Sequence, residues 1–110
     1  MQIDRSEVGG ATVLAANGRL NMVSAPALKA RVDDEVGAGN ARLVVDLAGV
    51  DFIDSSGLGA IIGGLKAARQ AGGDLRIAAA GEQVRAVLGL TNLDRILRPY
   101  DSVEEATATW

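Results

Sequence analysis

From Leu43 to Leu47 the chain reads Leu-Val-Val-Asp-Leu, a short β-branched apolar run of the kind that forms a buried strand. Further on the period changes. Leu58, Ile61, Ile62, Leu65 and Ala68 recur at intervals of three and four, one apolar stripe on a helix that runs from about Ser55 to Gln70 and ends at Gly72-Gly73. Between the two lies Asp54-Ser55-Ser56-Gly57, where either Asp54 or Ser55 is expected to cap the helix by accepting its orphan backbone N–H bonds. The pattern therefore sets two hydroxyls at the positive end of a helix, just after a buried strand.

The same two periods organise the rest of the chain. Residues 2–8 alternate, and 11–16 run apolar after Gly9-Gly10, which predicts a hairpin whose second strand ends at Asn17-Gly18. Ser24 as N-cap, Pro26 in the first turn and Leu28, Val32 and Val36 at four-residue spacing predict a helix from Ala25 to Val36. Leu75, Ile77 and Ala79 alternate with Arg76 and Ala78 in a further strand, and Val84, Val87 and Leu88 mark a short helix from Glu82 to Gly89. Arg95 to Arg98 reads as a brief edge strand stopped by Pro99. Asp101 and Ser102, each followed three residues later by a glutamate, open a last helix with Val103, Ala106 and Trp110 on one face. The order is β-β-α-β-α-β-α-(β)-α: one α/β domain over residues 1–110, its mixed four- to five-stranded sheet packed by helices.

Composition narrows the chemistry. Aromatics make up 3% of 110 residues, so the core is aliphatic. There is no histidine and no cysteine, which removes Ser-His-Asp and Cys-His catalysis and histidine- or thiolate-ligated metal. A net charge of −3 argues against nucleic acid as partner. No apolar run spans a bilayer and no signal-peptide core follows Met1, so the expected setting is the cytoplasm, and the expected state a monomer without cofactor or metal. Binding, not catalysis, is the expectation.

Two phosphate-loop patterns fail on inspection. Gly57-Leu58-Gly59-Ala60-Ile61-Ile62 follows a strand and opens a helix as a dinucleotide fingerprint does, but Ile62 replaces the third small residue. Gly59 and Gly64 have P-loop spacing, with Leu65-Lys66 where Lys-Ser/Thr is required. These glycines are better explained by close packing of the helix. Asp51 and Asp54 are two oxygen donors, too few for a cation site, and are read as a solvated loop charge and a cap. Arg95 and Arg98 read as a solvated face, and Trp110 as a helix end packed on the surface.

Asp-Phe-Ile-Asp-Ser-Ser-Gly-Leu-Gly, from Asp51 to Gly59, resembles the signature of the STAS domain family, and specifically of its free-standing anti-sigma factor antagonists. The resemblance extends to Gly18-Arg19-Leu20, Ala71-Gly72-Gly73 and Leu90-Thr91-Asn92-Leu93. It implies the compact STAS fold and a partner-switching role. The unmodified domain would bind an anti-sigma factor that is also a serine kinase, and so release sigma. The kinase would phosphorylate Ser55, the first serine of the motif, and block binding; a phosphoserine phosphatase would restore it. The residues implied for partner contact are Asn21, Asp54, Ser56, Gly57 and Leu58. Asn21 stands where many antagonists carry an aspartate, and Asn92 where a glycine is usual in a left-handed turn. The alternative within the family is a scaffold or accessory subunit of a transport or sensory complex.

Overall fold

The computed structural model describes residues 1–110, folded as a five-stranded sheet with strands in sequence order. β1 (Gln2–Val8) pairs antiparallel with β2 (Ala11–Leu20); β3 (Arg42–Ile53), β4 (Asp74–Ala78) and β5 (Pro99–Tyr100) then join in parallel. The crossovers are α1 (Ala25–Gly37), α2 (Ser55–Gln70) and α3 (Glu82–Leu90), and α4 (Val103–Thr107) closes the chain.

Strand alternation divides the core between the two faces of this sheet. Leu14, Leu43, Val45, Leu75 and Ile77 meet Leu28 and Val32 of α1, Leu58, Ile61, Leu65 and Ala68 of α2, and Val84 and Leu88 of α3. Their strand neighbours Val13, Val44 and Ala78 turn to the other face and meet Ala106 of α4, with Val103 and Trp110 packed alongside. At roughly 1.5–3 kcal/mol for each fully buried aliphatic side chain, the face that carries α1, α2 and α3 supplies most of the stability. α2 lies close to its neighbours because Gly64 presents no side chain: a Cβ there would stand 3.0 Å from Val32 Cγ1 and 3.1 Å from Leu75 Cδ1.

Three segments depart from the sequence reading. Asn17-Gly18 does not end β2. The strand continues to Leu20 across two register shifts against β3, which absorb the irregularity instead of terminating the ladder. β3 likewise runs on past Leu47 to Ile53, beyond the end of β4, so residues 47–53 have a strand neighbour only in β2. On the open edge a side chain completes the pairing. Gln83 of α3 accepts from the Ile53 N–H at 2.9 Å and donates to the Ile53 carbonyl at 3.0 Å.

The predicted strand at 95–98 is the third correction. Asn92 takes the left-handed conformation (φ 57°), Leu93–Arg95 form a single 3₁₀ turn, and the strand is Pro99–Tyr100. Proline fits the first position of an edge strand, where no neighbour needs its N–H. Asn92 thus holds the turn expected of it. Ser102 caps α4 by accepting from the Glu105 N–H at 3.1 Å.

Truncating Ile61 to alanine removes a central buried contact of α2 and is expected to cost about 2–5 kcal/mol, read as a lowered urea midpoint with unchanged slope.

Candidate functional site

Ser55 is the first residue of α2, directly beyond the end of β3. Parallel strands deliver their carboxyl ends, and the following helix amino ends, to one side of a sheet, so this corner combines exposed backbone N–H groups with a positive helix end. Asp54 settles which residue caps. Its Oδ1 accepts from the Gly57 N–H at 2.9 Å, the geometry of a helix N-cap, and its Oδ2 accepts from the Met22 N–H at 3.3 Å. One carboxylate thereby ties the start of α2 to the loop before α1. Ser55 is relieved of capping and lies exposed, whereas Ser56 is half-buried.

Asn21 organises the facing loop. Its Oδ1 accepts from the N–H groups of Val23 (3.0 Å) and Ser24 (3.2 Å), so it satisfies the turn that leads into α1. Ser24, the expected cap of α1, makes no side-chain cap bond; its hydroxyl accepts from the Asn21 N–H at 3.0 Å and donates to the Arg19 carbonyl at 2.5 Å. The capping work at this helix start is done by the asparagine, because the side chain three residues upstream reaches the exposed N–H groups first. An aspartate would offer the same acceptor oxygen, so replacement by Asn21 removes a charge and keeps the turn.

Gly57 and Leu58, expected on a partner-facing surface, lie inside. Leu58 is 5% exposed and belongs to the main core. A Cβ on Gly57 would overlap the Leu20 carbonyl oxygen and come within 2.9 Å of Leu20 Cγ and 2.8 Å of Ile53 Cγ1. Their role is to press the first turn of α2 onto the ends of β2 and β3. Gly59, by contrast, faces open space and packs against nothing.

What the corner does present to solvent is Met22 (72% exposed), Val23 (85% exposed), Ser55 and Asp51. Arg19 stands at the rim with its guanidinium 4.1 Å from the Phe52 ring centroid. Met22 and Val23 escaped the sequence reading because an isolated apolar pair looks the same whether it is buried or displayed. Gln83 escaped it because its bond to Ile53 joins residues thirty positions apart and leaves no local pattern.

Comparison with known proteins agrees with this geometry. Residues 2–106 match the STAS domain. A candidate anti-sigma factor antagonist of Thermotoga maritima is 38% identical over 100 residues, covering 90% of this chain and 88% of that protein. A crystal structure from T. maritima, again of a candidate anti-sigma factor antagonist, superimposes with a TM-score of 0.90 at 35% identity over 97% of this chain and 92% of the other. The anti-sigma factor antagonist SpoIIAA shares the fold at 17% identity. Its unphosphorylated form aligns with a TM-score of 0.72 over 98% and 96% of the two chains, and its phosphorylated form, from Bacillus, with 0.73 over 98% of each.

Asp54→Ala is expected to cost about 0.5–2 kcal/mol and to speed amide exchange at both Gly57 and Met22, with Asp54→Asn between it and the parent. The two glycines should diverge in thermal denaturation. Gly57→Ala is expected to lose about 1–3 kcal/mol through overpacking, and Gly59→Ala to gain about 0.5–1 kcal/mol through helix propensity.

Proposed function

The chain belongs to the STAS domain family, among the anti-sigma factor antagonists, and from that we propose that it is a phosphorylation-controlled binding module whose switch is Ser55. In its unmodified form it captures an anti-sigma factor and frees the sigma factor. The anti-sigma factor is itself a serine kinase and inactivates its antagonist by phosphorylating Ser55; a phosphoserine phosphatase reverses the step. The domain is a substrate, not an enzyme, and acts in the cytoplasm.

The observation that carries this reading is the uncommitted hydroxyl of Ser55, exposed at the first turn of α2 because Asp54 does the capping. In the reaction the Ser55 oxygen attacks the γ-phosphorus of ATP, ADP departs, and the hydroxyl proton passes to a base on the kinase. Support also comes from SpoIIAA, a protein of the same fold with a structurally characterised phosphorylated form.

The energetics suit a switch that acts on binding and not on folding. A phosphoserine adds about −1.5 to −2 charges at pH 7. At a helix N-terminus that anion gains roughly 0.3–1 kcal/mol, small against a fold stability of about 5–15 kcal/mol. For each unit of its charge, a carboxylate about 6 Å away opposes it by roughly 0.7–3 kcal/mol for effective dielectrics between 80 and 20. Asp51 and Asp54 already make the corner acidic, so a partner seated on Met22, Val23 and the start of α2 would meet a desolvated, like-charged surface. A penalty of about 3–5 kcal/mol corresponds to two to four decades in affinity. Asn21 and Ser56 border that contact, while Gly57 and Leu58 act on it only through the packing of α2.

Incubation with the cognate kinase and ATP is expected to add one phosphate to the tryptic peptide Leu43–Lys66, with fragmentation placing it on Ser55 and not Ser56. On size exclusion Ser55→Ala should co-elute with the kinase with or without ATP, and Ser55→Asp should elute alone. A stable complex of the Asp variant would overturn the charge mechanism.

A further inference from the structure

At the end of the sheet away from Ser55, the last turn of α2, the start of β4 and residues 96–100 enclose a cleft of about 160 Å³. Three arginines from three separate segments line it: Arg69, Arg76 and Arg98. Asp74 is the one carboxylate among the lining residues; its Oδ1 is occupied by the Leu75 N–H (2.9 Å) and Arg69 Nε (3.1 Å), and its Oδ2 lies 3.9 Å from Arg76 Nε. Arg76 is firmly placed, its side chain 17% exposed. It donates from Nη1 to the Ala106 carbonyl at 2.7 Å and to Thr109 Oγ1 at 2.8 Å, and stacks 4.1 Å from the Trp110 ring centroid. The guanidinium carbons of Arg76 and Arg98 each lie 5.6 Å from the Tyr100 ring centroid, and Arg98 enters none of the ion pairs of the chain.

Three arginines thus border a small space whose one carboxylate is shared by Arg69 and Arg76, which leaves Arg98 unbalanced and the lining with a surplus of positive charge in a chain whose net charge is −3. Like charges gathered at a partly shielded site repel one another, and a compact anion between them removes that repulsion. Planar guanidinium forks suit the paired oxygens of phosphate and carboxylate groups. The β4 edge here is a poor receptor for an extended peptide, since β5 pairs only with Ile77 and Ala78 and the Leu75 N–H is taken by Asp74. We propose that the Arg69–Arg76–Arg98 cleft binds a compact oxyanion, the phosphate or carboxylate group of a small molecule. It is independent of the phosphorylation reading of Ser55.

The test is a ¹⁵N-resolved NMR titration at constant ionic strength, with sodium phosphate in one arm, sodium succinate in another and sodium chloride as reference. Saturable shifts confined to Arg69, Asp74, Leu75, Arg76, Leu97, Arg98 and Tyr100 are expected in the phosphate arm, the succinate arm or both, which identifies the group preferred. Arg98→Gln, at an exposed position, should weaken binding about tenfold with an unchanged circular dichroism spectrum. Ser55→Ala should bind as the parent does. Shifts that never saturate, that chloride reproduces, or that Arg98→Gln leaves unaltered would overturn the assignment.

Discussion

One carboxylate holds the working corner of this domain together. Asp54 receives an N–H from the first turn of α2 and another from the loop before α1, two segments far apart in the chain. A serine in the same position would satisfy the helix, but its single hydroxyl oxygen would be spent there and the loop left loose. With two oxygens the aspartate does both, and the hydroxyl one residue later carries no structural duty. An exposed nucleophile at the amino end of a helix is ordinarily consumed by that helix; here it is spare.

The remaining architecture keeps that arrangement in place. Gly57 lets α2 begin in contact with the Leu20 carbonyl, so the helix start is set by backbone contact as well as by the cap. Leu58 and Ile61 anchor the next turn in the larger core. Asn21 closes the opposing turn through two N–H groups, which displays Met22 and Val23 instead of burying them. The smaller core beneath α4 lies across the sheet and contributes nothing to this corner directly. The sheet thus separates the corner from the smaller core only; the larger core lies directly beneath the start of α2.

Periodicity made most of this legible in advance. The 3.6-residue stripe of α2 and the four-residue spacing of α1 survive into the structure, since an amphipathic helix on a sheet leaves no other place for those side chains. The pattern failed where pairing is not periodic. The strand read as Leu43–Leu47, with Asp51 a loop charge, yet β3 extends to Ile53 because β2 bends along it and Gln83 closes the other edge at Ile53. Residues 95–98 read as strand from Ile96 and Leu97 alone, and Asn92 decided otherwise by turning left-handed shortly before them. At the site, spacing narrowed the cap to Asp54 or Ser55 but did not choose between them; it set Leu58 on the buried stripe and Gly57 in close packing, as observed, whereas the resemblance implied both as partner contacts. The role of Ser55 came from resemblance over Asp51–Gly59; an isolated serine at a helix start implies only a cap.

The Gln83 contact has a mechanical consequence. A backbone ladder parts only cooperatively, many bonds at once, whereas an amide side chain that imitates a peptide group withdraws by rotating about its own χ angles. The last residue of β3 is fastened on one edge by such a side chain, immediately before the turn that carries Ser55. The busiest corner of the molecule is closed by a clasp, not a seam, and can open without unstitching the sheet.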